Sequence, residues 1–139
     1  MSAQVKEFNW PIRVYYEDTD AAGLVYHANY LRFMERARTE WLRELGFTHK
    51  KLNDEIKLQF VVSNINVGYK KPAFFDEQLN VYSRVASMAG SSMVFEQQIN
   101  NQDNELKCQA TVNIVCIDTE TFRPKRIPES IRSEFYNDY

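Results

Sequence analysis

The sequence predicts an α+β fold in which one long helix packs against a single antiparallel sheet. Two patterns lead to this prediction. Apolar residues recur at steps of three and four between positions 30 and 45, which is the period of an amphipathic helix. After position 60 they alternate with polar residues in several runs, which is the period of half-buried strands. Short turns connect those runs, so neighbouring strands are expected to pair antiparallel.

The chain is expected to begin with a strand over residues 11–17. Ile12, Val14 and Tyr16 fall on one face of that strand, as they would if one side were buried. A loop of mostly small residues follows at positions 18–23. The strand is therefore predicted to lead through a tight turn into the long helix.

The long helix is predicted to begin at Asn29, a residue type favoured at the N-cap. It is expected to end before Gly46, which suits the left-handed position that often follows a helix. These limits give a helix of about 16 residues. The apolar stripe consists of Tyr30, Phe33, Met34, Ala37, Trp41 and Leu45.

The polar residues at positions 53–55 are interpreted as part of a connection before the remaining strands. In the first of those strands Val61, Ile65, Val67 and Tyr69 are expected to share one face. The later elements are strands over residues 60–69, 79–85, 93–99 and 106–117, turns at 90–92 and 100–104, and a short terminal helix over 131–136.

Composition indicates one ordinary globular domain over residues 1–139, with 44% hydrophobic and 26% charged residues. The net charge of −2 gives no support for binding nucleic acid. No run approaches the roughly 20 apolar residues that span a membrane. The first ten residues lack a basic region followed by an apolar one. We therefore expect a cytoplasmic protein that does not span a membrane.

The two cysteines support the same compartment. Cys108 and Cys116 lie in one predicted strand, about 26 Å apart when it is extended. That separation is too large for a disulfide. Reduced thiols that act as small apolar residues are expected in a reducing cytoplasm.

Candidate chemistry concentrates in residues 17–30, which read EDTDAAGLVYHANY. Asp20 is a candidate nucleophile or general base, and His27 can orient a substrate or transfer protons near neutral pH. Both residues also have structural explanations, because Asp often forms turn hydrogen bonds and a histidine can be held structurally. Backbone N–H groups at residues 27–30 can bind developing negative charge where the helix begins.

Several other enzyme classes lack support in the sequence. It has no GxSxG, P-loop, GxGxxG or HExxH segment and no Cys/His cluster with zinc spacing, and no metal or redox cofactor is predicted. Ser91 and Ser92 follow Gly90 without a nearby histidine, which argues against a serine hydrolase. Glu35 and His49 are interpreted as solvated surface residues.

The N-terminal part of the chain resembles hotdog-fold acyl-CoA thioesterases in the segment VYYEDTDAAGLVYHANYLRFMERARTEWLRELGF. It is similar to the 4-hydroxybenzoyl-CoA thioesterase family and, within it, to the Tol-Pal-associated (YbgC-type) branch. The resemblance continues through FVVSNINVGYKKPAFFDEQLNV, SSMVFEQQI and VCIDTETFRPKRIP, and so covers nearly the whole chain. Its most specific part is the motif D-T-D-x-x-G-x-V-Y-H-x-N-Y.

The resemblance implies a hotdog fold, with a long central helix wrapped by an antiparallel sheet. It also implies dimers with continuous sheets, pairing further into tetramers, and active sites at the subunit interface. By the same resemblance Asp20 is the catalytic carboxylate and His27 matches the histidine of this branch. Some hotdog thioesterases use a glutamate on the helix instead, for which Glu35 is the one stand-in. Substrate contacts are expected at Tyr26, Ala28, Asn29 and Tyr30.

The expected reaction is hydrolysis of an acyl-CoA to free acid and CoA, with no cofactor besides the CoA of the substrate. An acyl carrier protein is a further candidate partner. Two alternatives stay open: a hotdog hydratase or dehydratase acting on enoyl thioesters, and a non-catalytic module that binds acyl carriers or envelope-assembly proteins. Candidate cations for the CoA phosphates are Lys70, Lys71, Arg123, Lys125 and Arg126, and candidate pocket residues are Phe33, Met34, Phe60, Phe74 and Phe75.

Overall fold

The computed structural model describes residues 6–135, which form five strands and three α-helices. The strands make one sheet in the order β1-β3-β4-β5-β2, and every neighbouring pair is antiparallel. The predicted α+β class is therefore confirmed. The elements in chain order are β1 (Glu7–Arg13), α1 (His27–Glu44), α2 (His49–Ile56), β2 (Leu58–Tyr69), β3 (Gln78–Ala89), β4 (Ser92–Asn101), β5 (Leu106–Asp118) and α3 (Glu129–Phe135).

Helix α1 buries its predicted apolar stripe as far as Trp41, whereas Leu45 is the half-buried C-cap residue that follows the helix. Phe33, Met34 and Ala37 are 0% exposed against the sheet. Trp41 extends this core, because its ring packs 5.8 Å from Phe8 of β1 and 6.0 Å from Phe95 of β4, measured between centroids. Aromatic packing thus connects the helix to both an edge strand and the centre of the sheet.

The two ends of α1 were predicted with different success. Gly46 follows the helix with φ +93°, as expected for the residue after a C-cap. The predicted N-cap at Asn29 is wrong, because the helix starts at His27 and Tyr26 takes the cap position. The side chain of Asn29 lies inside the first turn, where it bonds to Asp18 instead.

The first strand also differs from its prediction. It runs over Glu7–Arg13, so Pro11 lies within it and does not open it. β1 is an edge strand, where proline is tolerated because the missing N–H leaves no inner partner unpaired. Tyr16 does not continue the strand face. It begins a single turn of 3₁₀ helix over Tyr16–Asp18 and is 75% exposed.

A bulge in β2 reverses part of the predicted pattern. Val62 pairs with Ile114 and Asn64 pairs with Asn113, which leaves Ser63 as an extra residue. Residues before the bulge therefore change face relative to those after it. Val61, which was expected to share a face with Ile65, Val67 and Tyr69, therefore lies on the opposite face of the sheet.

Two short helices flank the sheet. The segment predicted as a polar connection contains α2, whose N-cap Thr48 accepts a hydrogen bond from the N–H of Lys51 at 3.1 Å. This helix buries one side chain, Leu52, so its apolar signal in the sequence is weak. The predicted terminal helix is confirmed as α3, and Tyr136 lies outside the described residues.

Two further observations concern the helices and the cysteines. No helix among residues 6–135 is long and apolar enough to cross a bilayer. Cys108 and Cys116 are both buried on β5 and unpaired.

A buried glutamine connects α1 to the sheet through polar atoms. The side-chain amide of Gln97, on β4, donates to the Met34 carbonyl at 3.0 Å and to Ser83 Oγ at 2.8 Å. Its Oε1 accepts from Arg38 Nη1 at 2.8 Å. Burial lowers the pKa of Arg38 to about 10, so this guanidinium stays charged at neutral pH and needs that acceptor.

Replacing this glutamine tests the polar connection. Gln97→Met should lower the free energy of unfolding by about 1–3 kcal/mol, because Arg38 and Ser83 lose a partner inside the protein. Gln98→Met, at the neighbouring exposed position on the other face of β4, serves as control and should change it by less than about 0.5 kcal/mol. Urea unfolding measures both. Equal effects of the two changes would contradict the role assigned to Gln97.

Candidate active site

Asp18 is the structural carboxylate of the acidic loop. It is 4% exposed at the end of the 3₁₀ turn. Its Oδ2 accepts from the N–H of Tyr15 and its Oδ1 accepts from the Asn29 side chain, both at 2.9 Å. These bonds attach the turn after β1 to the first turn of α1. Asp18 is thus buried because two donors satisfy it.

Asp20 occupies the tip of a small hairpin, residues 18–26, that leads into α1. The hairpin is closed by pairing between Thr19 and Val25 and by a bond from the Tyr26 N–H to the Asp18 carbonyl at 2.9 Å. At the tip the Gly23 N–H donates to the Asp20 carbonyl at 3.0 Å. The base of this hairpin lies at the start of the helix, and its tip carries Asp20.

The carboxylate of Asp20 is exposed and partly uncommitted. Its Oδ1 accepts from the Ala22 N–H at 2.9 Å, and no other partner of this group occurs within residues 6–135. Gly23 makes the tight return of the chain possible, since its φ of +80° is costly for other residues. The local fold therefore presents one carboxylate oxygen to solvent.

His27 is the first residue of α1 and its side chain is exposed. Its ring centroid lies 4.4 Å from that of Tyr26 and 6.3 Å from that of Tyr69. The N–H groups of His27 and Ala28 meet no backbone acceptor in the described part of the chain. The helix start thus offers two donors for an incoming oxygen.

Asn29 and Tyr30 are enclosed, each 4% exposed. Asn29 Nδ2 donates to Asp18, and its Oδ1 accepts from Arg32 Nη1 at 2.7 Å. The Tyr30 hydroxyl accepts from the Ala73 N–H at 3.0 Å, and burial raises the pKa of this tyrosine. Substrate contact at Tyr26, Ala28, Asn29 and Tyr30 stays a prediction, and the polar groups of the last two already have protein partners.

Tyr69, the last residue of β2, is a neighbour of the site that the sequence did not indicate. Its hydroxyl donates to the His27 carbonyl at 3.1 Å, and its ring lies 5.6 Å from that of Tyr30. Burial raises the pKa of Tyr69, so the hydroxyl remains a donor at neutral pH. Its alternating position in a strand gave no sign of this contact.

The segment from residue 70 to residue 77 joins β2 to β3 and is hydrogen-bonded to the hairpin. The Ala73 carbonyl accepts from the Val25 N–H at 2.9 Å, and the Phe75 N–H donates to the Gly23 carbonyl at 3.3 Å. Leu24 and Phe74 form a further β-bridge. The position of the Asp20 hairpin is therefore set by a connection that is distant in sequence.

The other candidate residues differ in burial and in their partners. Lys71 pairs with Glu105 at 2.8 Å, and Lys125 donates to the Ile56 carbonyl, so both cations are already engaged. Phe33 and Met34 belong to the core. The residues with exposed side chains are Glu35, His49, Lys70, Phe74, Phe75, Arg123 and Arg126, and Phe60 is half-buried. No three His, Cys, Asp or Glu side chains within residues 6–135 are grouped to hold a metal.

One long helix wrapped by a five-stranded antiparallel sheet is the architecture of a hotdog protein. Residues 14–135 match the family described as the thioesterase-like superfamily, and the chain belongs to that family. The resemblance stated from the sequence is thereby confirmed.

Curated relatives and solved structures agree with this assignment. Acyl-CoA thioester hydrolase YbgC from Escherichia coli O6:H1 is 48% identical over 128 residues, which are 92% of this chain and 95% of the relative. Acyl-CoA thioesterase YbgC from Haemophilus influenzae is 42% identical, over 94% and 95% respectively. A probable thioesterase from Bartonella henselae superposes with a TM-score of 0.83 at 35% identity, covering 88% of this chain and 100% of that one.

The two aspartates of the hairpin should respond differently to the same substitution. Asp18→Asn should lower the free energy of unfolding by about 1–3 kcal/mol, because an amide cannot accept from both of its buried donors as a carboxylate does. Asp20→Asn should change it by less than about 0.5 kcal/mol, since the side chain is exposed. Chemical denaturation followed by tryptophan fluorescence measures both. A larger loss for Asp20→Asn would overturn this division of roles.

Proposed function

We propose that the chain hydrolyses acyl-CoA thioesters and that Asp20 supplies the catalytic carboxylate. The observation that carries this proposal is the exposed Asp20 oxygen on a hairpin that runs directly into the unpaired amides of α1. Membership of the thioesterase-like superfamily supports the reaction class. The names of the Escherichia coli and Haemophilus influenzae relatives support acyl-CoA as the substrate.

The chemistry requires little more than these groups. Hydrolysis of a thioester expels a thiolate, and free thiols have a pKa of about 8.5, so strong acid assistance at the leaving group is unnecessary. Asp20 attacks the thioester carbonyl carbon or removes a proton from the attacking water. In either route negative charge develops on the carbonyl oxygen. No cofactor is needed besides the CoA of the substrate.

The start of α1 is the proposed site for that oxygen. The N–H groups of His27 and Ala28 and the positive end of the helix dipole stabilise negative charge there. Losing one such donor typically costs about 10²–10³ in rate. The His27 side chain lies between Tyr26 and Tyr69, and in the proposed mechanism it orients the thioester group or relays a proton.

Substitution of the carboxylate tests the proposed mechanism. Asp20→Asn should lower kcat by at least about 10²-fold, because the amide can neither attack nor accept a proton. Glu35→Gln is the matched control and should leave kcat within about twofold, since Glu35 lies exposed on α1. Release of free CoA thiol from short-chain, long-chain and aromatic acyl-CoA measures activity and substrate preference together. A folded Asp20→Asn protein with full activity would refute the role.

We further propose a homodimer that pairs through β2, with a tetramer as the next level of assembly. Both β1 and β2 are edges of the sheet, but β1 has 7 residues and contains Pro11, which cannot donate to a ladder. β2 has 12 residues and exposes Val62 and Tyr69 by 44% and 46%. Because Tyr69 also contacts His27, pairing along β2 would bring the partner subunit next to the proposed active site.

A charge on this edge should weaken the dimer. Val62→Asp should raise the dimer dissociation constant at least about tenfold, because two copies of the carboxylate would be brought together and dehydrated. Asn9→Asp on β1 adds the same charge to the other edge and should have no such effect. Sedimentation velocity across a dilution series measures both. A monomeric wild-type protein would contradict the proposed assembly.

The cellular setting stays a prediction from the sequence. We propose a cytoplasmic enzyme, with an acyl carrier protein as a second thioester-bearing partner and an association with the Tol-Pal system. These three proposals are supported by the composition and by the resemblance to the YbgC-type branch.

A further inference from the structure

A buried lysine lies outside the groups assigned to catalysis. Lys107 is the second residue of β5, and its side chain is 4% exposed. Its Nζ donates to Glu105 Oε1 at 2.7 Å and to the Pro72 carbonyl at 3.0 Å. Glu77 Oε2 lies 3.7 Å away. Lysine is almost never fully buried unless paired. Here two hydrogen-bond acceptors and the nearby Glu77 carboxylate offset the cost of burying the ammonium.

The charges around this lysine are balanced. Lys71 Nζ bonds the second oxygen of Glu105 at 2.8 Å, so the cluster contains two ammonium groups and two carboxylates. Hydrogen bonds from Lys107 and Lys71 lower the pKa of Glu105 to about 2. Glu105 therefore stays ionised as the counter-charge of Lys107 throughout the neutral range.

Two atoms of Lys107, its backbone oxygen and its ammonium nitrogen, bond to the 70–77 segment. Its backbone carbonyl accepts from the N–H groups of Lys70 and Lys71 at 2.9 and 3.2 Å. Its ammonium holds the Pro72 carbonyl and lies 5.7 Å from the centroid of the Phe74 ring. The beginning and the middle of this segment are thus fixed to β5 by one residue.

The held segment is the one that carries the Asp20 hairpin. Pro72 is followed directly by Ala73, which is 0% exposed and bonds the Val25 N–H through its carbonyl and the Tyr30 hydroxyl through its N–H. The carbonyl bound by Lys107 and the Ala73 N–H therefore belong to the same peptide group, and the Ala73 carbonyl that holds the hairpin is the next one along the chain.

We propose that Lys107 is a positioning residue for thioester hydrolysis. By holding the Pro72 carbonyl it holds Ala73, and through Ala73 it sets the position of the Asp20 carboxylate relative to the amides at the start of α1. This inference rests on the proposed function of Asp20. A catalytic group displaced by about 1 Å can lose about 10²-fold in rate, so a distant ammonium can matter for turnover.

The kinetic test compares two cations that each form an ion pair. Lys107→Met keeps most of the side-chain volume and removes the ammonium. It should lower kcat at least about tenfold while changing KM by less than about threefold, because positioning acts on the reacting groups. Arg84→Met is the matched control. The Arg84 side chain, on β3, is 46% exposed and pairs with Glu96 of β4, so kcat and KM should stay within about twofold.

Amide hydrogen exchange supplies a readout that does not depend on activity. In Lys107→Met the Val25 and Phe75 N–H groups, which join the hairpin to the 70–77 segment, should exchange at least about tenfold faster. The Ile127 N–H, which bonds the Gly90 carbonyl at 3.0 Å outside these contacts, should keep its rate. Should Lys107→Met not fold, Glu105→Gln replaces it, with the same exchange pattern and a loss in kcat of at least about threefold.

Three outcomes separate the explanations. Unchanged kcat per folded molecule in Lys107→Met, with a lower melting temperature, would make Lys107 merely structural and overturn the inference. Equal acceleration of exchange at Val25, Phe75 and Ile127 would do the same, because it indicates global loosening. A wild-type protein without thioesterase activity would instead refute the proposed function, and the exchange rates would still decide whether Lys107 positions the hairpin.

Discussion

The backbone of Ala73 is the contact on which the proposed active site depends. Its carbonyl holds Val25 of the hairpin, and its N–H holds the Tyr30 hydroxyl in the first turn of α1. These two bonds join a loop, a helix and the connection between two strands at one residue that solvent does not reach. A catalytic loop is usually the mobile part of a protein. The hairpin that carries the proposed carboxylate is instead held by hydrogen bonds to a buried residue.

Burial explains how two aspartates two residues apart take different roles. In the folded protein two donors replace the water that would otherwise solvate the Asp18 carboxylate, so these bonds contribute to the stability of the fold. Asp20 keeps one carboxylate oxygen in solvent, and its other oxygen accepts a single hydrogen bond from the N–H of Ala22. Nucleophilic attack or proton abstraction needs an accessible lone pair, which Asp20 has. The structural carboxylate therefore shapes the hairpin that presents the other one.

Local patterns in the sequence were enough for much of the fold. The apolar stripe of α1 and the alternating strands β3, β4 and β5 were predictable because each buries one continuous face. The bulge at Ser63 and the helix start at His27 were not, because each is set by contacts with another element. The exposed Tyr16 likewise continued an apolar alternation that the 3₁₀ turn interrupts.

The candidate site divides in the same way. Asp20 and His27 could be found from a short motif because they lie in one segment of chain. Tyr69, Ala73 and Lys107 could not, since folding alone brings them to that segment and none has an unusual neighbour in sequence. A lysine in a strand is expected to be exposed to solvent. Lys107 is buried because Glu105 pairs with it and the 70–77 segment covers it.

The two cysteines of β5 have a consequence for an enzyme that would release a thiol. Burial raises the pKa of Cys108 to about 12 and that of Cys116 to about 11, so neither forms a thiolate near neutral pH. Only a thiolate attacks a disulfide, and a buried one is also out of reach. Free CoA and its oxidised dimer can therefore accumulate around the folded protein without forming mixed disulfides with it. A thiol product would therefore leave both cysteines reduced.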